Sequence, residues 1–214
     1  YSIPSLAFFV VLIDYFGQSE TTVMIPLAVY SLVVLVPGIV DGVRSVPQET
    51  LAAAEAMGFG PLRVINEDRV APGGGFAPHA HANMEILSIV LSGGLAHRDS
   101  IGTDGTIRAG EVQWMSAGHG IEHSEFNDSA SQPVHFLQLW IQPNRLNAQP
   151  AYEQRHFDPD ARRARWAVLA SPDGEQDSLA IRQQAWLRAT RLHADEHVTT
   201  DLDPSRRYWL HVAT

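Results

Sequence analysis

The chain has 214 residues, a formal net charge of −9 and no cysteine. That length allows one large domain or two small ones with a real core. The lack of cysteine excludes disulfides, thiolate metal sites and cysteine nucleophiles, and the acidic balance argues against nucleic-acid contact, which wants a basic face.

In chain order, "IPSLAFFVVLI" is apolar and stops at Asp14, and "TTVMIPLAVYSLVVLVPGIV" (21 to 40) carries no charge. A bilayer core needs about 20 helical residues, so the second run predicts a membrane span. Pro26 and Pro37 would break a soluble helix but are better tolerated in lipid. No charged region precedes the first apolar run, so it does not read as a secretory signal. "SVPQETLAAAEAMGFG" (45 to 60) predicts a short soluble helix. Ser45 caps it with Gln48 three residues on, Pro47 suits the first turn, and Gly58 or Gly60 stops it.

"IPSLAFF" and "GIVDGVRSVPQETLAAAEAMGFGPLRVI" resemble the permease subunit of osmoprotectant ABC importers over residues 1 to 65. The resemblance implies an α-helical membrane segment using residues 1–40. It places a docking loop at Glu49 to Gly58 and contact with an ABC ATPase subunit through residues 45–60. The further spans of that family are missing here, so transport by this chain alone is not implied.

From Arg63 the pattern becomes short alternating segments punctuated by glycine. "EILSIVLSG", "GLAHRDS", "EVQWMSAG" and "VHFLQLWIQP" are strand-like; "TDGT" and "RAGE" are turn-like. Many short strands at regular spacing predict an antiparallel sandwich or barrel.

All ten histidines lie from His79 onward. "PHAH" sets His79 and His81 at i and i+2, and "EHSE" sets His123 and Glu125 in the same relation about forty residues later. On a strand, that spacing points both side chains to one face. Two such strands inside a barrel could bring all four donors onto one ion. Imidazole and carboxylate suit Fe(II), Mn(II), Ni(II), Cu(II) or Zn(II), and four protein donors leave one or two coordination positions for a ligand or dioxygen.

"GGGFAPHAHANMEILSIVLSG" and "GEVQWMSAGHGIEHSEFN" resemble the two halves of the cupin motif. Gly73, His79, His81, Glu85 and Gly93 fit the first half, and Gly110, Gly118, His123 and Asn127 the second. Two departures stand out: an extra residue before Gly93, and Ser116 where cupins often carry proline. With "RVINEDRVAPGGGF", "LAHRDSIG" and "LQLWIQP", these resemble the pirin family from about Met57 to Thr214. That resemblance implies a mainly β fold, a cupin (jelly-roll) barrel of pirin type over residues 61–152. Residues 153–214 would begin a second, truncated cupin, and residues 1–60 would form the α-helical membrane segment that precedes both. "MGFGPLRVI" can be read in either family.

The pirin resemblance implies metal ligands at His79, His81, His123 and Glu125, with Glu125 also the catalytic base. The ion would be one divalent transition metal, Fe(II) first, with Mn, Ni, Cu or Zn as alternatives. "HAH" stands where pirins more often have "HPH", which spares the ligands but loosens the backbone between them. Glu85 competes with Glu125 on the cupin pattern alone; the resemblance favours Glu125 and leaves Glu85 supporting the site or on a strand surface. His97 is expected in a hairpin and His119 in a turn near the site. His135 is expected to point inward with Leu137, Leu139 and Ile141, as a core histidine or part of the pocket. His156, His193, His197 and His211 are expected to be solvated.

Three activities follow. Some bacterial pirins open the flavonol quercetin with dioxygen, which implies a quercetin 2,3-dioxygenase-type oxidoreductase with a flavonol-like substrate. Other pirins act as metal-dependent regulatory modules. The N-terminal resemblance implies a membrane component of an ABC importer. Localisation is then the inner membrane with the cupin part in the cytoplasm if residues 1–40 insert, and cytoplasmic otherwise.

Overall fold

The computed structural model describes residues 60–213 together with Gly17, Ser19, Glu20, Met24 and Ile25. The chain divides into two compact units, residues 1–58 and 59–214. The predicted membrane segment and docking helix lie outside the described residues, apart from those five positions and Gly60. Among the described residues, no helix is long and apolar enough to cross a membrane.

The second unit is mainly β, as the alternating pattern predicts. Nine strands build two antiparallel sheets: β1 (Leu62–Val70), β2 (Gly75–His81), β3 (Glu85–Ser92), β4 (Gly94–Asp99), β5 (Asp104–Arg108), β6 (Glu111–Ser116), β7 (Ile121–Asn127), β8 (Val134–Ile141) and β9 (Ala151–His156). A five-stranded sheet runs β1-β8-β3-β6-β9 and a four-stranded sheet runs β2-β7-β4-β5. They face each other as a jelly roll: Gln138 of β8 reaches Glu125 of β7, and the Tyr152 ring of β9 meets His97 of β4.

Strand periodicity explains the layering. Phe136, Gln138 and Trp140 alternate with Leu137, Leu139 and Ile141 along β8, so the two sets point to opposite faces. The first set lies in the barrel. The second packs with Leu87, Ile89 and Trp114 against Leu169, Leu179 and Ile181 of the C-terminal part. Both faces of this sheet are therefore covered, which is why Glu85 to Val90 are buried without alternation. The covering part holds a small sheet of β10 (Ala167–Ser171), β11 (Leu179–Ala180) and β12 (Leu187–Ala189), in the order β11-β10-β12. Strand β9 spans residue 152 and pairs along its length with β6.

Two local expectations are corrected. "TDGT" is not a turn: Asp104 to Thr106 already belong to β5. The turn lies earlier, where Asp99 Oδ1 accepts the Ile101 and Thr103 N–H groups at 3.1 and 2.9 Å, an aspartate-centred turn that composition alone does not separate from the glycine that follows. Glu85 is neither a surface carboxylate nor a support of the metal cluster. It is fully buried and accepts Trp114 Nε1 at 2.8 Å, Ser116 Oγ at 2.5 Å and the Arg182 N–H at 2.9 Å. It shares its face of β3 with Leu87 and Ile89, and so ties the C-terminal part to the outside of the barrel. The "RAGE" turn is present, with Gly110 at φ +92°.

Candidate metal centre

The site grows from register. In the β2–β7 pair, His79 lies opposite His123 and His81 opposite Ile121. In the β4–β7 pair, His97 lies opposite Glu125 and Asp99 opposite His123. Residues directly opposite share a face, so three neighbouring strands present His79, His81, His123, Glu125, His97 and Asp99 to the barrel interior. A bulge between Phe76 and His79 adjusts β2 just before its two histidines.

The imidazoles of His79, His81 and His123 form a triangle with ring centroids 4.5, 4.9 and 5.1 Å apart. Their candidate ligand nitrogens lie within 4.8 Å of one another. A second group, entirely buried, joins His123 to Glu125 and His97 within the same distance. His123 thus belongs to both groups. His79 Nδ1 donates to the Ala77 carbonyl at 2.8 Å, which leaves its Nε2 as an acceptor. Trp140 closes the floor, its ring 4.9 Å from His81.

Glu125 is 1% exposed. Gln138 Nε2 donates to its Oε2 at 2.9 Å, while Trp140 Nε1 fixes Gln138 by donating to Gln138 Oε1 at 3.0 Å. Burial raises the Glu125 carboxyl above its ordinary range, against the Gln138 hydrogen bond that favours the charged form. Burial, reinforced by His79 and His81, lowers His123 to about 3, and burial also lowers His81. These imidazoles are therefore neutral at pH 7, with free lone pairs.

The donors fit a divalent transition metal on observations of this structure. His123 Nδ1 and Nε2 and Glu125 Oε1 are buried with no hydrogen-bond partner, a costly state for polar atoms unless something binds them. The set mixes imidazole with one carboxylate, which borderline metals prefer. One histidine already has its second nitrogen on a backbone carbonyl, the usual way a ligand tautomer is fixed.

Several histidines differ from expectation. His97 does lie in a hairpin, on β4 opposite Gly105 of β5, but its side chain points inward: it is 1% exposed, held by Asp99, with its ring 5.3 Å from that of His123. Its i, i+2 relation to Asp99 was the legible signal, the same spacing that relates His79 to His81 and His123 to Glu125. His135 lies on the face of β8 away from the metal cluster and is satisfied by Glu67 at 2.8 Å. His211, expected to be solvated, bonds the other Glu67 oxygen at 2.9 Å. His119 turns to Gln149 at 3.2 Å. His156, His193 and His197 are exposed. Sequence reading missed Gln138 and Gln113; each is a buried amide inside an apolar strand, and that break in apolar character was the available signal.

Residues 49–141 match the family model described as "Pirin" and residues 168–214 that described as "Quercetinase C-terminal cupin domain". Residues 1–70 match one described as "Binding-protein-dependent transport system inner membrane component". The chain is 44% identical over 156 residues to quercetin 2,3-dioxygenase of Escherichia coli strain K12, covering 73% of this chain and 66% of that one. A Zymomonas mobilis relative is 38% identical over 160 residues, covering 74% and 68%. Among solved structures, the bacterial pirin YhhW of Escherichia coli in complex with nickel(II) is similar. It has a TM-score of 0.57 and 43% identity over 60% of this chain and 54% of that one. The chain thus spans about two thirds of the curated relatives' length and about half of the solved chain.

Proposed function

The chain belongs to the pirin family, and on that premise we propose that it is a metal-dependent dioxygenase of the quercetin 2,3-dioxygenase type, acting on a flavonol-like substrate. His79, His81, His123 and Glu125 hold one divalent transition metal, Fe(II) first. The observation that carries this is the convergence of those side chains from β2 and β7, with His123 and Glu125 buried and short of partners. When bound, the ion would supply a Lewis-acidic, redox-active centre for a phenolic oxygen and dioxygen.

The chain's own residues do the rest. Gln138 fixes Glu125 through Oε2, leaving Oε1 toward the interior as the atom that takes a substrate hydroxyl proton. The raised affinity of Glu125 for a proton suits that role, since a base works best with a pKa near the working pH. Trp140 and the apolar barrel lining exclude water around the reacting oxygen.

The test is turnover of quercetin under air by protein reconstituted with Fe(II), followed by flavonol absorbance. Turnover in the parent, lowered about a hundredfold or more in Glu125→Gln, supports the reading. Stoichiometric metal with no turnover of any flavonol defeats it and leaves the metal-dependent regulatory role.

A second reading concerns location. The inner-membrane component match over residues 1–70 favours attachment through residues 1–40, with residues 45–60 offered to an ABC ATPase subunit and the barrel in the cytoplasm. Extraction of membranes with alkaline carbonate decides it: protein kept in the pellet supports attachment, and full release sinks it.

A further inference from the structure

Phe76 and Asn66 face the barrel interior and are nevertheless exposed. Phe76 of β2 lies directly opposite Glu125 of β7, so it shares the interior face with that carboxylate. It is 41% exposed, whereas Glu125 is 1% exposed. Asn66 of β1 lies directly opposite Gln138, whose amide reaches Glu125 inside the barrel, and it too is exposed. The two strands meet at a turn, where the Gly74 N–H donates to the Ala71 carbonyl at 3.0 Å. Beyond that turn, among the described residues, β1 pairs only with β8 and β2 only with β7. Their two unpaired edges therefore frame an opening toward Glu125, with Phe76 on one rim and Asn66 on the other.

The bulge in β2 gives Phe76 this direction. His79 follows it by three residues, a spacing that on a regular strand sends two side chains to opposite faces. Between them Ala77 and Pro78 stand against Ser124 alone, and the extra residue returns both Phe76 and His79 to the face of Glu125. Phe126, 40% exposed on the neighbouring strand, points the other way. It follows Glu125 by one residue, and its ring lies so close to Gly75 that a Cβ there would meet it at 2.5 Å. Phe126 thus covers the start of β2 from outside, while Phe76 looks into the opening.

We propose that Phe76 is the ring-binding residue of the substrate site: a flat aromatic compound whose hydroxyl reaches Glu125 from this opening lies with its ring against Phe76. The inference rests on the function proposed above, in which Glu125 takes a hydroxyl proton. Aromatic pairs gain stabilisation beyond the area they bury. Phe76 therefore selects planar phenols and flavonols over aliphatic hydroxyketones that offer Glu125 the same polar group.

Three variants test it. Phe76→Leu keeps an apolar side chain and removes the ring, Phe76→Tyr keeps the ring, and Phe126→Leu makes the first change on the outer face of the same strand pair. Chelator competition reads the Kd for Ni(II). Quercetin is then titrated under nitrogen into Ni(II)-loaded protein, and its absorbance gives the flavonol Kd. The expected result is a flavonol Kd raised about fivefold or more in Phe76→Leu, with parent-like values in Phe76→Tyr and Phe126→Leu and an unchanged Kd for Ni(II) in all three. An unchanged flavonol Kd in Phe76→Leu overturns the proposal and leaves the proposed function standing, as does an equal loss in Phe126→Leu or Phe76→Tyr. Loss of Ni(II) from Phe76→Leu also overturns it, since the ring would then support the donors rather than the substrate. A parent that binds no flavonol, with or without Ni(II), overturns the proposed function and this inference together.

Discussion

At the scale of single residues, the site depends on polar atoms kept without protein partners. His123 is nearly buried and its proton affinity is low, with a pKa of about 3. The sign of the pH effect follows. An unfolded histidine protonates below its ordinary value of about 6.5, whereas the folded one stays neutral. The unfolded state then binds the extra proton, so the His123 contribution to the stability of metal-free protein is fully present above about pH 6.5 and is lost as pH falls toward 3, while the raised Glu125 carboxyl acts in the opposite sense. Between about pH 7 and 4 the denaturant midpoint of the parent should therefore fall relative to that of His123→Asn, which lacks this contribution. That His79 and His81, and His123 and Glu125, each share a face was legible in sequence, because strand geometry turns i, i+2 spacing into a shared face. The partners of those residues were not: Gln138 lies 13 positions from Glu125 and on the opposite sheet, so only the fold brings them together.

At the scale of elements, the outer face of the five-stranded sheet relies on a single buried carboxylate. Glu85→Ala would leave Trp114 Nε1, Ser116 Oγ and the Arg182 N–H without their acceptor. Each stranded donor costs about 1–3 kcal/mol where water cannot replace the partner. The expected loss is about 3 kcal/mol or more in urea unfolding, with Ni(II) binding retained, because Glu85 faces away from the histidine cluster. Gly118 offers a second check. It has φ +50°, and an added Cβ would lie 2.1 Å from the Ala148 carbonyl oxygen. Gly118→Ala should therefore destabilise by about 1–3 kcal/mol, measured the same way. The strand pattern was legible because hydrophobic alternation reports burial directly. The aspartate-centred turn at Asp99 was not, since its hydrogen bonds involve residues whose composition fits several turn types.

At the scale of the whole molecule, an ion that binds only the folded chain stabilises it by mass action. At a free concentration 100 times its Kd the gain is about 2.7 kcal/mol, which raises Tm by about 5–10 °C for a unit of this size. Calorimetry before and after chelation should show that shift, and the His79→Ala/His123→Ala pair should abolish it. The two-sheet architecture was readable from the number and spacing of strand-like runs. Which outer face the C-terminal part covers was not, because that depends on packing between segments about a hundred residues apart, such as Glu85 and Arg182. The placement of β2 has a kinetic side as well. Among the described residues it pairs only with β7, interrupted by the bulge before His79, and most of its residues are exposed. Two of the proposed donors, His79 and His81, thus sit on a strand that can peel from one neighbour while the buried pair on β7 stays in place. The residence time of the ion would then be governed by fraying of β2 rather than by opening of the barrel, so metal exchange should keep pace with amide hydrogen exchange in β2 and run far ahead of that in β3 and β8.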